Sequence, residues 1–305
     1  MSEHHHHHKV SGKNLFLTIV LNVIITVSQI VGGIISGSLA LLSDAMHNFS
    51  DVLALVIAYA ANRLAARPNS ESKTFGYKRA EIIAALFNAS VLVGIAVFLI
   101  VEAAHKFYHP EAINSVWVIG LGALSIVLNT ASVLLVKDDS HDNMNIKAAY
   151  LHLLTDVMTS VAVVGGGVLM YYFGIFWIDP LISALIALYL IWASFGIIKE
   201  SLSVLMQFTP SGIDVDKVIK AIEAEEGVKN VHHIHIWKLD DNQINLEAHL
   251  DMSEDMPVSQ SNAIIENLEH KLHDMFGIEH TTFQCEFNRH DDKSKIVNKE
   301  EHTHE

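Results

Sequence analysis

Cysteine occurs once in this chain of 305 residues, as Cys285, which excludes an intrachain disulfide framework and the cysteine-built zinc ribbons and fingers. Charge is also scarce. Only 18% of residues are Asp, Glu, Lys or Arg against 50% hydrophobic, and the mean hydropathy of +0.31 lies outside the range of an ordinary soluble domain. Lys and Arg number 20 against 34 acids, and a net charge of −14 argues against nucleic acid as a partner. Most of those acids lie after Asp214, so the charge describes a solvated C-terminal part and is no membrane-surface signal. No HExxH is present, and no nucleophile or base is arranged for cleavage, so the chain is expected not to be an enzyme. No cleavable secretory signal stands out, because the opening MSEHHHHHKV is polar and the first apolar block is long enough to span a bilayer.

What the chain has is apolar blocks of membrane-crossing length. Six spans are expected over residues 13–36, 39–65, 77–108, 113–136, 144–173 and 179–206. Six crossings place both termini on one side. Lys9, Lys13, Arg63, Arg67, Lys73, Lys78, Arg79, Lys137, Lys147 and Lys199 fall on that side and Lys106 alone on the other, so the termini are expected in the cytoplasm.

Beyond Pro210 the pattern is that of a soluble domain. Asp214 precedes a helix with Val215, Val218, Ile219 and Ile222 on one face, expected to end at Gly227. The β-rich run VHHIHIWKL, the turn DDNQ and INLEAHLDM follow as a hairpin. Pro257 starts a second helix striped by Ile264, Ile265, Leu268 and Leu272, Gly277 closes it, and TTFQCEF supplies a third strand. The order α-β-β-α-β predicts a small open α+β sandwich. Four segments are thus expected: a His-rich N-terminus over 1–12, a transmembrane domain over 13–208, a cytoplasmic domain over 209–288, and a polar, disordered tail over 289–305.

The candidate chemistry lies inside the spans. HNFSDVL in the second carries His47 and Asp51, and HLLTDVM in the fifth carries His152 and Asp156. Spacing of i, i+4 puts each pair on one helix face, and two such faces can build a four-ligand cage. Ionisable side chains at this depth cost a few kcal/mol each by insertion scales, so they persist where they pair, bind ions or meet water. Two carboxylates cancel the charge of a dication and two neutral imidazoles complete a tetrahedral N and O shell, which suits zinc, with cobalt and cadmium as further candidates. Calcium and magnesium prefer more oxygen ligands or octahedral geometry. Each ligand binds metal deprotonated, so loading expels protons and proton-for-metal exchange follows. Most of Asn22, Gln29, Asp44, Asn48, Asn88, Glu102 and Asn129 are expected to make interhelical hydrogen bonds, with Asp44 either packing or supporting His47. A sensor using the same cage without flux is the alternative, and a passive channel conflicts with so complete a cage.

Histidines recur outside the spans. Strand alternation separates His232 from His233 and His235, while His232, His249, His280 and Glu286 gather near the three strands as a composite metal site. The run His4 to His8 is either a loose metal collector or an expression tag.

On SLALLSDAMHNFSD, FGYKRAE, LHLLTDV, HHIHIW and FQCE, the chain from about residue 13 to 288 resembles the cation diffusion facilitator family, in its zinc-transporter branch. That resemblance implies a homodimer with six spans per subunit, a cytoplasmic ferredoxin-like domain, and proton-coupled metal export by alternating access. It also implies His47, Asp51, His152 and Asp156 as transport ligands, and Zn2+ as substrate and regulatory ligand at His232, His249, His280 and Glu286. Gln284 stands where some members place a further histidine. The link between spans two and three offers Asn69 and Lys73 where some members bind metal through Asp and His, and DDSHDNMN with His141 replaces a longer His-rich loop. The short loops and compact length point to a prokaryotic plasma membrane.

Overall fold

A computed structural model describes residues 12–137, 144–241, 243–290 and 292–296. Six long helices come first: α1 (Gly12–Ser36), α2 (Leu39–Ala65), α3 (Ala80–Tyr108), α4 (Ser115–Lys137), α5 (Met144–Phe173) and α6 (Ile178–Leu205). Among the described residues, α2 to α6 are each long and apolar enough to cross a membrane, and α1 adds the shorter apolar stretch Val20–Ser36. Their surfaces invert the soluble pattern, with Val27, Ile34, Phe98, Val101, Trp192 and Phe195 exposed while Ser43, Asp44, Asn48, Asn129 and Ser160 are buried. Lipid provides no hydrogen-bonding partners, so polar groups turn inward.

The junction between α1 and α2 is tightly specified. Gly37 ends α1 at φ 73, a left-handed conformation that glycine adopts without steric cost. Ser38 caps α2, its hydroxyl accepting from Leu41 N at 3.1 Å. Asp179, buried in the first turn of α6, then accepts from the Ser38 hydroxyl and from the backbone N–H groups of Leu39 (2.7 Å) and Ala40 (3.3 Å). A carboxylate from one helix thus satisfies the orphan amides of another and faces the positive end of its dipole. Gly166 and Gly167 let α5 approach its neighbours, since a Cβ there would lie 2.4 Å from Ile182 Cδ1 and 2.9 Å from Ile119 Cγ1.

The soluble elements are α7 (Val215–Glu223), β1 (Val228–Lys238), β2 (Ile244–Met252), α8 (Val258–Phe276) and β3 (His280–Glu286). The sheet order is β1-β2-β3, with β1 antiparallel and β3 parallel to β2, so α8 is the crossover that a parallel pair requires. Val218, Ile222, Val231, Ile234, Leu246, Leu250, Leu268 and Leu272 form the core of this α+β domain. Asp214 caps α7 by accepting from Asp216 N and Lys217 N. That helix stops at Glu223, short of Gly227, whose φ of 95 makes the turn into β1 instead. The chain divides into two compact units, one built on the helices up to Ile198, the other gathering Ala61–Ile83 with the chain from Lys199. Within the second, Lys78 Nζ lies 3.8 Å from Asp240 Oδ2.

Two departures from the sequence-based expectation bear on function. A bulge interrupts β1: His232 pairs with His249 and His235 with Glu247, so His233 and Ile234 oppose Ala248 alone, and His233 takes φ 50. The alternation expected to separate His232 from His233 is therefore broken. Secondly, part of the tail expected to be structureless is placed: the backbone N–H groups of His233 and Ile234 donate to the carbonyls of Ser294 (3.3 Å) and Lys295 (3.0 Å).

Candidate metal sites

Helical spacing of i, i+4 brings His47 over Asp51 on α2 and His152 over Asp156 on α5. The two helices cross in opposite directions, so the quartet forms two tiers. In one, His47 Nε2 lies 3.2 Å from Asp156 Oδ1; in the other, His152 Nε2 lies 3.3 Å from Asp51 Oδ2. Within the helices the distances are 3.7 Å for His47 Nδ1 to Asp51 Oδ2 and 4.0 Å for His152 Nε2 to Asp156 Oδ2. One ligand atom from each of the four residues falls within 4.8 Å of the others. A tetrahedron with zinc bonds near 2.0 Å has ligand atoms about 3.3 Å apart, so small side-chain adjustments close the cage. The tiers differ in access. Side-chain exposure is 24% for Asp51 and 45% for His152, against 7% for His47 and 1% for Asp156.

Behind the quartet, Asp44 accepts from Gln29 Nε2, from Thr159 Oγ1 at 2.8 Å and from Ser160 Oγ at 3.1 Å. Gln29 in turn accepts from Asn48 at 2.9 Å, and Ser160 pairs with Ser125 at 2.9 Å. Asp44 precedes His47 by three residues and Thr159 follows Asp156 by three, so this network fixes α1, α2, α4 and α5 beside the ligands. The Asp44 carboxyl group thus meets three donors, while Asn48 Oδ1 at the far side of the network is buried without a hydrogen-bond partner.

The cytoplasmic domain brings together His232, His249 and Glu286, whose ligand atoms lie within 4.8 Å of one another. His249 Nδ1 is 2.9 Å and His232 Nε2 3.6 Å from the Glu286 carboxylate. His280 is not brought to them. It pairs with Asn245 at the start of β3 while Asp251 pairs with Glu286 at its end, and six residues of strand span about 20 Å. The bulge instead adds His233, its ring centroid 4.7 Å from that of His249 and 5.4 Å from that of His232. Glu286 is further held by Gln284 Nε2 and Arg289 Nη1, each at 2.7 Å, and Lys293 Nζ reaches Glu286 Oε2 at 3.3 Å, His232 Nε2 at 3.4 Å and Asp251 Oδ1 at 2.9 Å. Sequence reasoning missed His233, Arg289 and Lys293, and adjacency of the histidines signals a bulge only once the ladder is known. His4 to His8, His141, His302 and His304 lie outside the described residues.

A model of the cation efflux transmembrane domain matches residues 15–206, and one of the cation efflux protein cytoplasmic domain matches residues 210–287. The chain is 33% identical over 296 residues to the cadmium, cobalt and zinc/H(+)-K(+) antiporter of Bacillus subtilis (strain 168), covering 96% of this chain and 95% of that one. It is 34% identical over 282 residues to the metal cation efflux system protein CzcD of Cupriavidus metallidurans, covering 92% and 89%. It is 32% identical over 304 residues to the zinc transporter ZitB of Pectobacterium atrosepticum, covering 98% and 93%.

Proposed function

Because the chain belongs to the cation diffusion facilitator family, in its zinc branch, a family of multi-pass membrane metal transporters and not of enzymes, we propose that it is a proton-coupled antiporter exporting Zn2+ from the cytoplasm. The carrying observation is the His2Asp2 cage of His47, Asp51, His152 and Asp156, four ligand atoms within 4.8 Å of one another between two membrane-crossing helices. Two carboxylates and two imidazoles match a dication in charge and a tetrahedral ion in number. Cd2+ and Co2+ share that preference closely enough to be further substrates, and both are in the name of the Bacillus subtilis relative. Metal binds the deprotonated ligands, so loading on one side releases protons and unloading on the other restores them.

The bias of Lys and Arg puts the termini in the cytoplasm of what we take to be a prokaryotic plasma membrane. On that orientation Asp51 and His152 form the inner tier, and their greater exposure supports a cage open to the cytoplasm. The chain works as a homodimer on this reading, as the family's cytoplasmic domain implies. His232, His249 and Glu286 bind regulatory zinc there, while His280 stands too far along β3 to share that cluster within one subunit.

The test is zinc flux and lumenal pH in proteoliposomes with an imposed proton gradient, with and without potassium. Saturable zinc movement opposed by protons and lost in Asp51→Ala and Asp156→Ala supports the exchanger. Flux surviving both substitutions refutes the cage, and zinc binding without flux identifies a sensor instead.

A further inference from the structure

The strand β1 lies at the edge of its sheet, and at the bulge the β1–β2 ladder skips His233 and Ile234. Successive amides of a regular strand point to opposite sides. At His233 the positive φ breaks that rule, and both skipped amides donate to the tail, at Ser294 O and Lys295 O. The tail thus docks on that edge through two main-chain hydrogen bonds, using edge amides as a peptide does in β-augmentation but without forming a strand of its own. A second anchor lies at the exposed pair Lys295 Nζ to Asp216 Oδ1, at 2.6 Å.

Just ahead of these anchors Lys293 turns inward. Its Nζ sits 3.3 Å from Glu286, 3.4 Å from His232 and 2.9 Å from Asp251, so it touches two of the three residues of the cytoplasmic cluster. A zinc ion would lie about 2.0 to 2.2 Å from its His and Glu ligands. The ammonium already engages two of the atoms that would ligate it, His232 Nε2 and Glu286 Oε2. A dication would displace it by overlap and by like-charge repulsion at short range.

We propose that the carboxy-terminal tail is a tethered competitor for the cytoplasmic cluster: Lys293 holds the place of a divalent cation, and metal binding there expels Lys293 and releases the tail from β1. The inference rests on the reading of His232, His249 and Glu286 as a metal site. The tail then reports metal occupancy by leaving the sheet edge, and it sets a threshold, since zinc must outcompete an ammonium already present at high effective concentration.

The experiment uses the full chain in nanodiscs with Asp51→Ala and Asp156→Ala, so that the transport cage is silent. Zinc binding is measured by calorimetry, counting only the component that Glu286→Ala removes, and hydrogen exchange is followed at the amides of His233 and Ile234. Zinc is expected to speed exchange at both amides about tenfold or more, and Lys293→Ala to give fast exchange without zinc and a Kd for zinc about tenfold lower, the scale of one hydrogen bond to a charged group. Binding that depends on Glu286 but leaves both amides unchanged, or an unaltered Kd in Lys293→Ala, overturns the competition and leaves the metal site standing. Absence of any Glu286-dependent binding overturns both.

Discussion

Replacing Asp179 with alanine removes the single acceptor shared by Ser38, Leu39 N and Ala40 N at the start of α2. A buried donor left without a partner costs about 1–3 kcal/mol, and the Ser38 hydroxyl can rotate to another acceptor whereas the two amides cannot. Losing the carboxylate from the positive end of the α2 dipole adds up to about 2 kcal/mol. Asp179→Ala should therefore destabilise the fold by roughly 3–5 kcal/mol, and Asp179→Asn, which keeps one acceptor oxygen, by about half as much. Unfolding of the purified protein by SDS titration gives both values. Because α2 carries His47 and Asp51, zinc flux should fall in the same order at a temperature where the alanine variant stays folded. Equal damage from Ala and Asn, or less than about 1 kcal/mol from Ala, would refute the account of Asp179 as a cap shared between helices.

Thr159→Val keeps shape but deletes a donor to Asp44 at 2.8 Å, and should cost about 1–2 kcal/mol in the same titration, with a weaker effect on flux than any loss from the quartet. His233→Ile places a β-branched residue at φ 50 and should destabilise the cytoplasmic domain by about 1–3 kcal/mol, read from its thermal unfolding, whereas His233→Gly relieves the backbone. The hydrogen bond and charge of Lys295 hold the Asp216 carboxyl below its ordinary 3.8, so this tie is complete above that value and is lost as pH falls through the lowered one. Pepsin cleavage of the tail should accordingly be slow near the ordinary value and quicken as the pH drops well beneath it, and Asp216→Asn should abolish that step.

The long helices and the duplicated His-x3-Asp were legible because hydrophobic length and a period of 3.6 need no tertiary information. Helix starts were less so: α3 begins at Ala80, where turns occupy residues 77–79 as the Ala80 N to Tyr77 O bond of 2.9 Å shows, and α4 begins at Ser115 after an irregular segment. Asp179 read as a local helix start, because nothing in IDP tells that its oxygens reach α2, about 140 residues away in sequence. The same limit hid the bulge at His233, which a strict period of two cannot represent, and put His280 with residues that strand register keeps apart. Lys293 was invisible for a different reason: a polar tail has no periodicity, and its docking depends on amides that only the bulge exposes.

The pairing across the cage has a mechanical consequence. Each imidazole faces the carboxylate of the opposite helix, and the two pairs are separated by four residues, about 6 Å of helix rise. Sliding α2 along α5 would strain both pairs alike. Tilting it about a pivot midway between them parts one pair while pressing the other together, and roughly 20° over an arm of about 3 Å shifts a separation by about 1 Å, enough to break a hydrogen bond or a metal–ligand bond. The ion would then be the fulcrum of a see-saw, always gripped by one end while the other lets go.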